Sequence, residues 1–283
     1  MRIIQISDTH LSAAHPHFAA NNEAIRTWLA AEQPDLIVHT GDLAMDGAAD
    51  EADHAIAATW NSGFRAPVLS VPGNHDVGDV AAIRPDQTVD AVRLAAWRKH
   101  HGPDRWLLDR AGWRLVGLNA MLLGSGHEEE EAQFAWLTTA LATDHPVALF
   151  LHKPLFIDGP DEGPRGYWTV TPEPRRRLLA LMDRARVRLV ASGHLHIQRS
   201  LHLDGIDHVW GPAASFVCGA SQEDLGGARL LGAVVHEFGA ERVTSRFIRP
   251  TGLDDFTIEP VIDVIYPRAD RVLPAAPQSD QGA

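Results

Sequence analysis

The chain has 283 residues, 45% of them hydrophobic and 22% charged, a formal net charge of −12 and one cysteine, Cys218. This size and balance suit a globular protein with a substantial core, while the acidic balance argues against general nucleic-acid binding, which needs a basic face. One cysteine excludes an intrachain disulfide and a thiolate zinc site, and no apolar run nears the roughly 18 residues of a membrane span.

Apolar runs rich in β-branched residues read as strands at 2–7, 36–40, 68–71, 114–119, 147–151 and 188–191. Helix-like stretches lie among them at 22–32, 50–63, 89–101, 128–142 and 173–185. This alternation predicts an α/β layered fold with a largely buried sheet. After Ala191 the texture changes to strands at 198–203, 206–210, 231–238 and 241–248, with Asp204-Gly205 and Gly239-Ala240 as turns. The simplest expectation is that a second sheet packs on the first; its strands after Leu231 could extend across the edge of a homo-oligomer such as a dimer, and an ordinary closing strand pair explains them equally well. A catalytic domain over 1–268 is expected, then a flexible C-terminal tail over 269–283, rich in Pro, Ala, Gln and Asp. The Pro/Gly-rich loop 154–174 is long enough to be functional or disordered. Residues 1–6 are too short for an export core, so the cytoplasm is the expected setting and no membrane partner is expected.

Chemistry concentrates in five segments: Asp8-Thr9-His10, Gly41-Asp42, Gly73-Asn74-His75-Asp76, His152 and Gly193-His194-Leu195-His196. Most stand where an apolar run gives way to a loop, the edge at which open α/β sheets bind ligands. Asp8 and His10 are spaced i, i+2, which puts both on one face if the backbone is still extended, and His194 and His196 repeat the spacing. Carboxylate, amide and imidazole donors without thiolate suit a pair of divalent ions such as Mn, Fe, Co or Zn. Two ions about 3.5–4 Å apart clamp a phosphorus centre for in-line attack. Two carboxylates cancel only part of their charge, which leaves the site attractive to phosphate despite the acidic chain. Any one segment is commonplace; their combination carries the reading of a two-metal phosphoesterase.

In these residues the chain resembles the calcineurin-like metallophosphoesterases, whose pattern is D-x-H, G-D, G-N-H-[DE], H and G-H-x-H. Every element is present in order, between Arg2 and about Ser215. The resemblance implies two mixed β-sheets packed face to face and flanked by helices, around a binuclear centre. It implies that Asp8, His10, Asp42 and His196 hold one ion, and Asp42, Asn74, His152 and His194 the other. His75 matches the histidine that contacts phosphate oxygens or protonates the leaving group, and Asp76 is expected to orient it. Met45 stands where purple acid phosphatases carry tyrosine, so a purple tyrosinate–iron centre is not expected. The motif set looks most like the class III cyclic-nucleotide phosphodiesterases and their glycerophosphodiesterase relatives.

The expected activity is hydrolysis of a small phosphodiester, a cyclic nucleotide or glycerophosphodiester, by in-line attack of a metal-activated hydroxide. A phosphomonoesterase is the alternative, and a non-catalytic scaffold the remote one. Candidate substrate contacts are His127 before the acidic run Glu128 to Glu131, Lys153 where many members carry a second histidine, and Arg165, Tyr167 and Trp168 in the long loop, where an aromatic could stack on a base and the arginine pair with phosphate. Each has a plainer reading, as a helix end, a solvated cation or loop packing. His15, His17, Asn21 and Asn22 are either pocket-entrance residues or ordinary surface.

Overall fold

The computed structural model describes residues 1–266; the expected tail lies outside the described residues. Among the described residues eleven strands form two sheets, and each strand that is apolar on both sides lies between two covered layers.

In the first sheet, β1 (Arg2–Ile6), β2 (Leu36–His39) and β3 (Val68–Ser70) run parallel. Near the other end of the chain, β10 (Ala233–Phe238) pairs antiparallel with β1, and β11 (Val243–Ile248) with β10. The second sheet contains β4 (Trp106–Arg110), β5 (Trp113–Gly117), β6 (Val147–Phe150), β7 (Val187–Ser192), β8 (Arg199–Leu203) and β9 (Ile206–Trp210). Its order is β4-β5-β6-β7-β9-β8, with parallel pairing from β5 to β9 and antiparallel hairpins at both edges.

Strand alternation sorts the side chains into layers. Ala148 and Phe150 of β6, Leu115 of β5 and Leu189 of β7 face Ile3, Val38 and Val234 of the first sheet in one core. Val147, Leu149, Val116 and Val190 point the other way. There they meet α4 (Ala91–His101), α5 (Glu128–Ala140) and α6 (Pro172–Met182) through Trp97, Phe134 and Leu178. On the outer face of the first sheet, Ile4, Ile6 and Ile37 pack on Ile25 and Leu29 of α1 (Ala19–Glu32). The remaining helices are α2 (Glu51–Ser62), a single turn α3 (Asn74–Val77) and another, α7 (Ile262–Ile265). Caps fix the starts: the Asp50 carboxylate accepts the Ala52 N–H, and Asp90 that of Arg93.

The two-sheet α/β sandwich is as expected, but the late strands are distributed differently. They do not form a second sheet of their own. Hairpin β8–β9 extends the sheet of β7, and β10–β11 returns to flank β1, where Arg2 opposes Glu237 and Gln5 opposes Val234. Strand β4 lies outside every expected run; it closes a hairpin on β5 through Ala111 and Gly112, both at positive φ. Among the described residues no helix is long and apolar enough to cross a membrane.

Candidate metal centre

Five strand ends converge. Loops after β1, β2 and β3 deliver Asp8 and His10, Asp42, and Asn74; loops after β6 and β7 deliver His152, and His194 with His196. Both sheets therefore contribute, each through the C-terminal ends of parallel strands. Beneath the site Gln5 ties them together, its amide nitrogen donating to Thr40 Oγ1 and to the Ser192 carbonyl, each at 2.9 Å.

The backbone reaches this arrangement by a different route from the extended i, i+2 spacing. β1 ends at Ile6 and β7 at Ser192. Asp8, His10, Asp42, His194 and His196 then adopt left-handed φ values of 56°, 45°, 52°, 71° and 54°. Such a conformation costs a non-glycine residue roughly 1–2 kcal/mol and is held by its surroundings. The Asp8 and His10 amides donate to the Gly41 and Asp42 carbonyls at 3.0 and 3.1 Å, and the Gly193 amide to that of His152 at 2.9 Å. Gly41 itself sits at φ 94°, and a Cβ there would stand 2.5 Å from His152 Nδ1. The Gly-Asp pair thus lets one imidazole lie across the turn.

Two triads of buried donors result: Asp8, His10 and His196, and Asp42, His152 and His194. Asp42 lies between them, its Oδ2 3.1 Å from His152 Nε2 and 3.8 Å from His10 Nε2. It also forms a triad with His10 and His75. In the first group His196 Nε2 is 3.3 Å from Asp8 Oδ1 and 3.3 Å from His10 Nε2; in the second His194 Nδ1 is 3.2 Å from His152 Nε2. Asp8 Oδ1 and Asn74 Oδ1 are buried with no hydrogen-bond partner among the described residues. Orphaned oxygens are costly unless a cation or proton meets them, and imidazole nitrogens facing one another share that need. The donor set fits a pair of divalent ions.

Outer contacts select the ring nitrogens, because a carbonyl only accepts. His152 Nδ1 donates to the Thr40 carbonyl (2.7 Å), His196 Nδ1 to that of Phe216 (2.7 Å) and His194 Nε2 to that of Tyr167 (2.8 Å). Each ring thus turns its other nitrogen into the cluster, and in the neutral ring that nitrogen carries the lone pair. Charge is polarised as well. Burial raises Asp42, but His152, His75 and His10 outweigh it and hold the carboxyl well below its usual range. Burial lowers His152, yet Asp42 and Asp8 together lift it to about 9. Burial also drives His10 and His194 well below the ordinary histidine range.

His75 flanks the cluster, its ring centroid 4.8 Å from that of His10. Its backbone N–H donates to Asp42 Oδ1 (2.9 Å) and its Nδ1–H to the Met45 carbonyl (2.9 Å). Asp76 does not orient this ring. Its carboxylate accepts the backbone N–H groups of Gly73 (2.9 Å), Ala44 (2.9 Å) and Leu43 (3.2 Å), so it ties the two motif loops together instead. Burial and the nearby Asp42 charge push it up to about 7.

Apart from Tyr167, the expected substrate contacts are engaged elsewhere. His127 caps α5, accepting the Glu129 N–H. Lys153 is neither solvated nor at the surface: it is 3% exposed and bridges both oxygens of buried Asp79 at 2.6 and 2.9 Å. Arg165 pairs with Asp158 at 2.8 Å on an exposed loop, and Trp168 packs against the core of Ile157, Leu195 and Trp210. Asn21 and Asn22 are buried: Asn22 bonds the Thr9 carbonyl and Asn21 that of Ser215. Of the chain's two tyrosines, the sequence offered Tyr167 only as a loop aromatic that could stack on a base, and Tyr266 was missed. Tyr167 accepts the Asn74 amide at 3.0 Å, and the Tyr266 hydroxyl lies 3.3 Å from His75 Nδ1 and 3.5 Å from His10 Nδ1. Phe216, whose ring lies 4.4 Å from that of His196, was also missed. For Tyr266 the scarcity of tyrosine was the one available signal.

Facing α/β sheets with carboxylate, amide and imidazole donors gathered at their strand ends define a metal-dependent phosphoesterase architecture. The chain belongs to the calcineurin-like phosphoesterase family, whose model matches residues 1–198. It is 34% identical over 173 residues to the 3',5'-cyclic adenosine monophosphate phosphodiesterase CpdA of Escherichia coli K12, covering 55% of this chain and 56% of that protein. It is 30% identical over 216 residues to the glycerophosphodiester phosphodiesterase GpdQ of Enterobacter lignolyticus, covering 69% and 71%. The match thus spans little more than half of the first relative. A dimetal phosphatase from Danio rerio shares the fold, with a TM-score of 0.60 at 12% identity over 87% of this chain and 95% of that one.

Proposed function

We propose that this chain hydrolyses a small phosphodiester, such as a cyclic nucleotide or a glycerophosphodiester, using two divalent transition-metal ions. One observation carries the reading: the Asp42 carboxylate stands between two buried donor groups, with His152 on one side and His10 on the other. Asp8, His10, Asp42 and His196 would hold one ion, and Asp42, Asn74, His152 and His194 the other. Mn, Fe, Co and Zn all suit these donors. Such ions supply positive charge at the phosphoryl oxygens and acidify a water for attack.

The chain's own contribution is positional. The Thr40, Phe216 and Tyr167 carbonyls fix three imidazoles in the tautomer that ligates. His75, with Nδ1–H on the Met45 carbonyl, would use Nε2 toward the substrate and as imidazolium would give its proton to the departing alkoxide. The diester preference is supported by the two relatives named as phosphodiesterases. A single cysteine accords with a cytoplasmic setting.

The test compares bis(p-nitrophenyl) phosphate with p-nitrophenyl phosphate on apo-protein reloaded with Mn, Fe, Co or Zn. Diester preference that disappears in Asp42→Ala is the expected result. Monoester preference would replace the diester reading with a phosphatase, and silence on both with ions bound would count against these ester classes altogether.

A further inference from the structure

Building on the two-ion reading, we propose that Tyr167 is a positioning residue dedicated to one ion, that of Asp42, Asn74, His152 and His194, and sets its affinity separately from the other's. Tyr167 makes two independent contacts with that group. Its hydroxyl accepts the Asn74 side-chain N–H at 3.0 Å. A carboxamide has one end that ligates a cation and one that repels it. Anchoring the nitrogen on the phenol leaves Oδ1 as the other end, buried and without a hydrogen-bond partner among the described residues. A rotated amide would offer NH₂ to the ion.

The second contact is through the backbone. The Tyr167 carbonyl takes the His194 Nε2 proton at 2.8 Å, which leaves the lone pair on Nδ1, the nitrogen 3.2 Å from His152 Nε2. The Tyr167 ring also rests 4.7 Å from the His194 ring, centroid to centroid. One residue thereby sets the ligating atom of two donors that come from different sheets.

Tyr167 is itself well held. It lies in the short 3-10 turn Gly166–Trp168, whose Trp168 packs on the core of Ile157 and Leu195. Lys153 Nζ stands 5.5 Å from the Tyr167 ring centroid, fixed there by the buried Asp79 carboxylate. The support of Asp8, His10 and His196 is separate: Phe216 takes the His196 proton, and Tyr266 stands beside His10. Each tyrosine of the chain thus serves a different donor group.

The experiment is a calorimetric Mn²⁺ titration of apo-protein, with bound metal counted after dialysis, for wild type, Tyr167→Phe, Asn74→Ala, the double variant and Tyr266→Phe. Wild type is expected to take up two ions. Tyr167→Phe should weaken one of the two steps about tenfold, the lower end for loss of an outer-shell partner, with the other step and the metal-free thermal midpoint unchanged. In the Asn74→Ala background the same change should add nothing, since it acts through that amide. Tyr266→Phe should leave that step alone. Identical isotherms for wild type and Tyr167→Phe, equal weakening of both steps, additivity with Asn74→Ala, or the same step weakened by Tyr266→Phe would each overturn the inference. Fewer than two ions in wild type would overturn the two-ion reading and this inference together, whereas two ions with an unaltered Tyr167→Phe overturns the inference alone.

Discussion

Gly73 lies against Asp42 with no room for a side chain: a Cβ at Gly73 would overlap Asp42 Oδ1 and stand 2.8 Å from its Cγ. The glycine of the Gly-Asn-His-Asp segment is thus a spacer for the carboxylate of the Gly-Asp segment. A methyl group there must displace either the Asp42 carboxylate or the turn that carries Asn74. Displacing a reacting group by about 1 Å costs on the order of 100-fold in rate. Gly73→Ala is therefore expected to lower turnover by about that factor and weaken metal uptake. Gly159→Ala, with nothing within 4 Å of the new Cβ, should leave both unchanged. Wild-type metal stoichiometry and turnover in Gly73→Ala would show that the turn yields without moving Asp42.

His75 makes a second test, separate from metal binding. Its ring is fixed by Met45, and its backbone N–H by Asp42. Removing the ring gives up the Met45 contact but leaves the backbone N–H on Asp42 and both donor triads built without it. His75→Ala should retain both ions and lose about 10²–10⁴ in turnover on esters with poor leaving groups. On an activated aryl ester, which departs without a proton, the loss should be far smaller. Equal losses on both substrate types, measured at matched metal content, would contradict proton donation to the leaving group.

The positions proposed as ligands stood out in the sequence because they lie close to a glycine or to the end of an apolar run, and both features are local. The sheet partition was not, because it depends on pairing across more than 200 residues, as between Arg2 and Glu237. Asp76 and Lys153 were misread for the same reason. Adjacency to His75 and His152 suggested chemical roles, but the partners that claim them are the amides of Leu43 and Ala44 and the carboxylate of Asp79. Tyr266 carries no motif at all, and Tyr167 stood out only as an aromatic in a long loop; it is the fold that brings both to the site.

Lys153 and Asp79 define a third prediction. The pair is almost fully buried, 3% and 1% exposed, at 2.6 Å. Removing one partner strands the other charge in the interior, which costs about 3–5 kcal/mol, whereas removing both at similar volume costs much less. Lys153→Met should therefore lower the urea midpoint strongly, and Lys153→Met with Asp79→Leu should recover a large part of the loss. A Lys153→Met protein of wild-type stability with a raised KM would restore this residue as a substrate contact.

The buried histidines set the response to acid. His236 is fully buried between β1 and β11, its Nε2 donating to Gln5 Oε1 at 3.0 Å and its Nδ1 facing Ser245 Oγ at 2.8 Å. A neutral ring meets both partners, and burial lowers its pKa to about 3. Above the unfolded value of about 6.5 both states are neutral and the group contributes no pH dependence. Below it the unfolded chain takes up a proton that the folded chain refuses. Stability then falls by up to about 1.4 kcal/mol per pH unit from this residue as pH drops toward the folded value. His101, lowered to about 3, and His54 and His208, each lowered to about 4, steepen the same limb, with burial the leading cause in each. His236→Gln should be less stable at pH 7.5 yet lose stability less steeply between pH 6 and 4.5, by about one proton in the slope. Urea midpoints across that range, converted to free energies, measure the difference; an unchanged slope would mean that the folded protein protonates His236 as readily as the unfolded chain does.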